Sequence, residues 1–120
     1  NREPLPASAE RFRPETAIDQ YRTAANEAVV DLHISALRQD YANLSPHEIL
    51  TIQIGLFERL LGSAIAFGYT SVVFIHGIGN GTLKQAIIKR ISEYDDIEFR
   101  NASFAKFGNG AIELILHSNK

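Results

Sequence analysis

Apolar and polar positions along this chain fall into four short runs and two long helical stripes. Glu27-Ala28-Val29-Val30-Asp31-Leu32 reads as a first strand, because β-branched residues in a short run fit a half-buried pleated surface. Residues 34–45 make a loop, longer than a strand-to-helix connection usually is. Ser45-Pro46-His47-Glu48 then opens a helix, with serine as N-cap, proline at the first helical position and glutamate placed to close a capping box. That helix runs to about residue 67 and stops at Gly68. Residues 69–75 form a second strand, with Ser71-Val72-Val73-Phe74-Ile75 as its buried centre. From Thr82 the period returns to 3.6, and Leu83, Ala86, Ile87, Arg90, Ile91 and Tyr94 share one face of a helix that ends near residue 94. Residues 96–104 alternate Ile97 and Phe99 against Glu98 and Arg100, a half-exposed strand. Phe107-Gly108-Asn109-Gly110 is turn chemistry, and the nearly all-apolar residues 111–116 belong inside a sheet.

The order β-α-β-α-β-β predicts an α/β fold, a two-layer α+β sandwich with a four-stranded mixed sheet. Right-handed crossovers link three parallel strands and the last returns antiparallel. The long helix carries more apolar surface than such a sandwich needs. Ile49, Ile52, Leu56, Leu60 and Phe67 make one stripe, and Leu50, Ile54, Phe57, Leu61 and Ile65 make a second beside it. One packed face needs roughly 100° of arc, so residues 15–25 or a second subunit should cover the excess. Residues 1–26 read as an arm or linker. Pro4, Pro6 and Pro14, with Arg2, Arg11 and Arg13, argue against regular structure up to about residue 14, while Ile18, Tyr21, Ala24 and Ala25 make one side of a short helix. The domain proper spans 27–117 and a tail 118–120.

Composition narrows the function classes. With 120 residues the chain is one domain, and without cysteine it has neither a disulfide scaffold nor a thiolate metal site. A net charge of −2 is not the basic footprint of a protein that lives on duplex phosphates. No unbroken run reaches the roughly 18 apolar residues of a membrane helix and no signal peptide is visible, so a cytoplasmic protein is expected. The chain begins at asparagine, which reads as a fragment of a longer protein.

Chemistry concentrates in one stretch, His76-Gly77-Ile78-Gly79-Asn80-Gly81-Thr82-Leu83-Lys84. A strand, a glycine loop and a helix N-terminus make a cradle for an anion, since first-turn amides are unpaired and the dipole is positive there. The spacing of the glycines is neither the dinucleotide fingerprint nor a P-loop. In the predicted sheet the first three strands end at one edge, where ligands of open α/β sheets bind. Asp31, His33 and His76 therefore converge beside the loop, with residues 107–110 leaving the third strand at the same edge. Blander readings stand beside this one. The loop could be a turn without a ligand, His76 could bond a loop carbonyl, and Asp31 could brace its loop or orient His33. A metal held by Asp31, His33 and His76 is not required by their spacing, and no cofactor is expected. No serine sits in a nucleophile elbow, and His47 and His117 have no constellation around them.

Three segments in order, Val29-Val30-Asp31-Leu32-His33, His76-Gly77-x-Gly79-x-Gly81-x-Leu83-Lys84 and Phe107-Gly108-x-Gly110-Ala111, resemble the Smr (small MutS-related) domain. The resemblance covers about residues 28–117. It implies a fold similar to the C-terminal domain of translation initiation factor three, nucleic-acid binding and, in several members, endonuclease activity on DNA or RNA. It implies Asp31, His33 and His76 as catalytic residues. Contacts to nucleic acid would come from Gly77, Gly79, Asn80, Gly81, Thr82, Lys84, Gly108 and Gly110. Two positions depart from the family motifs: Ile34 stands for the glycine after D-L-H, and Ile78 for the basic residue of the glycine loop. The long loop and the D-L-H-I wording resemble a bacterial subgroup in which the domain is C-terminal in a longer protein.

Three functions follow as expectations. One is a metal-independent endonuclease, on RNA before DNA, with one histidine as base and the other as acid. Another is a module that binds nucleic acid and cuts nothing. The third is an interaction or homodimerisation domain using the apolar face of residues 49–65.

Overall fold

A capping box starts the longest element, as its sequence predicts: Ser45 Oγ accepts the Glu48 amide and Glu48 Oε1 accepts the Ser45 amide. The computed structural model describes residues 17–117, so the prolines and arginines before residue 17 and the 118–120 tail lie outside the described residues. The strands are β1 (Arg22–Ala24), β2 (Glu27–Asp31), β3 (Ser71–Ile75), β4 (Ile97–Asn101) and β5 (Ala111–Leu116). The helices are α1 (Ile34–Leu37), α2 (Pro46–Ala66), α3 (Thr82–Ile91) and α4 (Phe104–Phe107), with a 3-10 turn at Ile18–Tyr21. The sheet runs β1-β2-β3-β5-β4. β2 and β3 are parallel, and β5 lies between β3 and β4, antiparallel to both.

The predicted α/β sandwich and its antiparallel last strand are thus present, but the sheet has five strands and not four. The fifth is β1, which the sequence reading assigned to a short helix. Its three residues are all exposed and pair antiparallel with β2 through a tight turn at Asn26, which takes a positive φ of 64°. Periodicity over three exposed residues carries no signal, so the turn alone specifies this hairpin. Two further short helical turns interrupt segments read as strand or loop. Ser103 Oγ accepts the Lys106 amide and ends β4 early in the helical turn α4, and the loop after His33 contains the turn α1.

Val30, Val72, Phe74, Ile112 and Leu114 face the helices and pack against Phe57, Leu60, Leu61 and Ile87. The Phe57 and Phe74 rings meet edge-on with centroids 4.8 Å apart. On the other face, Val73, Ala102 and Ala111 form a smaller cluster covered by Phe107. An ion pair between Glu58 and Arg90 joins α2 to α3 on the outside.

By length and composition α2 is long and apolar enough to cross a membrane, with a mean hydropathy of 1.4, although its charges break any single apolar run. Here it packs as a core helix, with Ile54, Phe57, Leu60, Leu61, Ser63 and Ala64 buried against the domain. Of the two covers expected for its excess apolar surface, the N-terminal segment is present. Ile18 is fully buried, and its amide donates to the buried Ser63 Oγ at 3.1 Å. The hydroxyl of Tyr69 donates to Asp19 Oδ1 at 2.6 Å; burial first, and then this bond, push the phenol's pKa up to about 12. Burying one isoleucine is worth about 1.5–3 kcal/mol, which holds the 3-10 turn to the domain.

Ser63→Ala strands the buried Ile18 amide without an acceptor. We expect it to lower the unfolding free energy by about 1–3 kcal/mol, read by urea denaturation; a change within error would mean that the turn is not docked through this bond.

Candidate functional site

The parallel pairing of β2 with β3 sets Asp31 beside Ile75, so both chains leave the sheet together. The Leu32 amide still bonds to Ile75 O at 2.9 Å, which carries the pairing one residue further. On the other side of β3, the amides of His76 and Gly77 both donate to Gly110 O, at 2.8 and 3.0 Å. The end of β2, the glycine loop and the start of β5 therefore meet at one edge. Gly77 is the contact point. Its φ of +86° and the His33 ring, whose Nε2 lies 2.9 Å from where a Cβ would be, both demand glycine. Gly110 packs closely on the same spot: a Cβ there would sit 3.2 Å from the Gly77 carbonyl carbon, so the loop would have to give by a few tenths of an ångström.

Asp31 does both things the sequence reading offered. Its Oδ1 accepts the His33 backbone amide at 2.9 Å and the His33 Nδ1 proton at 2.7 Å, bracing the corner and fixing the ring. Both side chains are about half exposed, so this corner is open to solvent.

His76 is held differently. Its Nδ1 lies 2.7 Å from Gly77 O; a carbonyl only accepts, so Nδ1 carries the proton and Nε2 holds a lone pair. The loop-carbonyl bond is thus real, but it leaves Nε2 buried and without a hydrogen-bond partner among the described residues. Burial lowers this imidazole's pKa, the bond to Gly77 O works against that, and the charges of Lys84 and His33 lower it further.

His76 lines a cleft of about 300 Å³ whose floor is the loop, from Gly77 through Gly79, Asn80, Gly81, Thr82 and Leu83 to Lys84. Asn80 and Thr82 are partly engaged with each other. Asn80 Oδ1 accepts the Thr82 amide at 3.0 Å and its hydroxyl at 2.7 Å, capping α3. Lys84 Nζ reaches Asn101 Oδ1 at 3.4 Å. Asp31, His33, Gly108 and Gly110 do not line the cleft; the His33 ring and Gly110 each lie against Gly77, which does. Ile78 stands 78% exposed at the loop tip. Among the described residues, no group of three or more histidine or acidic side chains is arranged to hold a metal ion. His117 pairs with Glu98 at 3.4 Å on the surface, and His47 is exposed.

Two features escaped the sequence reading. Pro46, Ile49 and Leu50 of α2 form the opposite wall of the cleft. Gln53, one turn further on, donates from Nε2 to Leu32 O at 2.8 Å and ties α2 to the Asp31–His33 corner. A polar residue between two apolar stripes was the available signal.

Gly77→Ala should cost about 1–2 kcal/mol from its backbone conformation alone and displace His33. Gly79→Ala, in open space with an ordinary φ, should cost under about 0.5 kcal/mol. Chemical denaturation of the two variants checks the contrast, and equal losses would refute it. Since burial depresses the folded His76 pKa, the unfolded chain takes up that proton first as pH falls. Its contribution to stability is therefore complete above about pH 6.5 and is lost as pH drops below it. His76→Gln should give a shallower fall in thermal midpoint between neutral pH and about pH 5; parallel falls would clear His76 of the effect.

The Smr domain family model matches residues 54–117, more than half of the chain. Endonuclease MutS2 of Aquifex aeolicus (strain VF5) is 28% identical over 78 residues, which are 65% of this chain and 10% of that protein. The chain thus spans about a tenth of the length of this curated relative. The crystal structure of the Smr domain of Thermus thermophilus MutS2 is similar with a TM-score of 0.54 at 21% identity, over 76% of this chain and 96% of that one. Family match, fold and motif order agree, and the chain belongs to the Smr domain family.

Proposed function

We propose that this domain binds nucleic acid across the glycine loop and cleaves RNA there by transfer to the 2′-hydroxyl. One observation carries the reading: two imidazoles in opposite settings meet at Gly77. His76 Nε2 is a buried, unpartnered lone pair, while His33 is solvent-open with its Nδ1 proton held by Asp31. In this reading His76 Nε2 takes the 2′-hydroxyl proton and the 2′-oxygen attacks phosphorus. The bond to the 5′-oxygen breaks, and His33 as imidazolium gives its Nε2 proton to that oxygen. The products are a 2′,3′-cyclic phosphate and a 5′-hydroxyl. Amides at the N-terminus of α3 stabilise the charge that develops on phosphorus's free oxygens. The similarity to a protein described as an endonuclease supports the class of reaction.

Ile78 favours a second reading, a module that holds nucleic acid without cutting it. An exposed isoleucine supplies no charge where a cation would help the transition state.

The discriminating experiment is cleavage of labelled RNA with EDTA present. We expect products ending in 2′,3′-cyclic phosphate, and a loss of about 100-fold or more in each of His33→Ala and His76→Ala. Undiminished cutting in either variant, or products ending in a 3′-hydroxyl, would overturn the mechanism. Binding without cutting in the parent protein would select the second reading.

A further inference from the structure

The two walls of the cleft differ in chemistry. The loop side offers polar groups: the amides of Ile78, Gly79, Asn80 and Gly81 donate to no backbone acceptor among the described residues, and Lys84 brings a positive charge. The α2 side offers Pro46, Ile49 and Leu50, an apolar surface that is partly buried at Ile49 and Leu50 and exposed at Pro46. His76 sits between the walls, with its Nε2 buried and unpartnered. A ligand that satisfies both walls needs an anionic end and a flat, weakly polar body, joined over a distance that fits about 300 Å³.

A nucleotide is such a ligand, but only when it is out of the stack. Duplex nucleic acid presents phosphates on its outside and keeps its base faces stacked within, so it could reach the loop but could not lay a base on α2. An unpaired nucleotide can do both, because every base has a face to offer and its backbone is free to turn. We propose that this cleft holds one unpaired nucleotide of a single-stranded segment, phosphate on the glycine loop and base against Ile49. The inference rests on the nucleic-acid reading above and adds a preference for single strands. It also gives a use to Ile49, which lies outside the core cluster that Leu50 beside it joins.

The test is equilibrium binding at one fixed salt concentration, since affinities for nucleic acid depend steeply on salt. The probes are a labelled DNA strand, the same strand in 2′-O-methyl RNA, which cannot be cut through its 2′-oxygen, and each annealed to its complement. We expect single strands to bind about tenfold more tightly than duplexes. Ile49→Ala should remove most of that advantage without weakening duplex binding, while Ile49→Phe retains it. Unchanged thermal midpoints would establish that both variants fold. Lys84→Ala should weaken single strands and duplexes alike. Equal affinity for the two forms, or an Ile49→Ala protein that keeps the full preference, overturns the inference and leaves the nucleic-acid reading standing. Binding of neither form overturns both.

Discussion

One carbonyl organises the functional edge. Gly110 O accepts two consecutive amides, from His76 and Gly77, and so fastens the glycine loop to the strand that follows it in space but not in sequence. Two ordinary hydrogen bonds contribute only about 1–3 kcal/mol together, so their weight is geometric. They hold the Gly77 backbone about 3.2 Å from where a Cβ on Gly110 would be, while Gly77 itself takes a positive φ and has the His33 ring where its own Cβ would go. That conformation leaves the flat surface on which the His33 ring rests. The same turn puts Gly77 O within reach of His76 Nδ1 and thereby decides which nitrogen of His76 keeps its lone pair. Backbone geometry at one residue thus sets the state of both histidines.

The electrostatic arrangement follows from depth. Asp31 and His33 lie on the open side of Gly77, where water shares the load of their charges and an ion pair contributes little stability. The pair is useful mainly because it fixes a ring. His76 is on the inner side, where burial disfavours a proton and the neighbouring charges of Lys84 and His33 disfavour it further. Two identical side chains therefore sit in different settings, one half exposed beside Asp31 and the other lining a cleft with its Nε2 buried. With Ile78 at the loop tip and a net charge of −2, the loop presents backbone amides and Lys84 without a broad positive field around them.

Most of this was legible in the sequence where the signal was local and repeated. The capping box at Ser45, the buried run of β3 and the glycine loop each announce themselves within a few residues, and the antiparallel return of the last strand followed from connection rules. β1 was not legible because its three residues are exposed and its pairing depends on a turn at a non-glycine residue, Asn26. α4 was hidden because Ser103 and Phe107 read equally well as the end of a strand and the start of a turn. At the site, Asp31, His33 and His76 could be named as neighbours from topology alone. Their contacts could not be foreseen, since those depend on tenths of an ångström at Gly77. The wall of Pro46, Ile49 and Leu50 was visible only as surplus apolar surface with no stated purpose.

That surplus resolves when α2 is followed along its length. Its C-terminal half meets Ile18 and the sheet through Leu60, Leu61, Ser63 and Ala64; its middle sits on Phe74 through Phe57; its first turns, partly buried, form a wall of the cleft opposite the glycine loop. Gln53, between that wall and the core, spends its amide on Leu32 O. The helix that contributes Ile54, Phe57, Leu60, Leu61 and Ala64 to the core is therefore also clamped to the corner that carries Asp31 and His33. A shift of α2 on the sheet would alter the cleft width and the His33 corner together. Packing of the core and geometry of the site are for this reason one constraint, and the long capped helix is the element through which each limits the other.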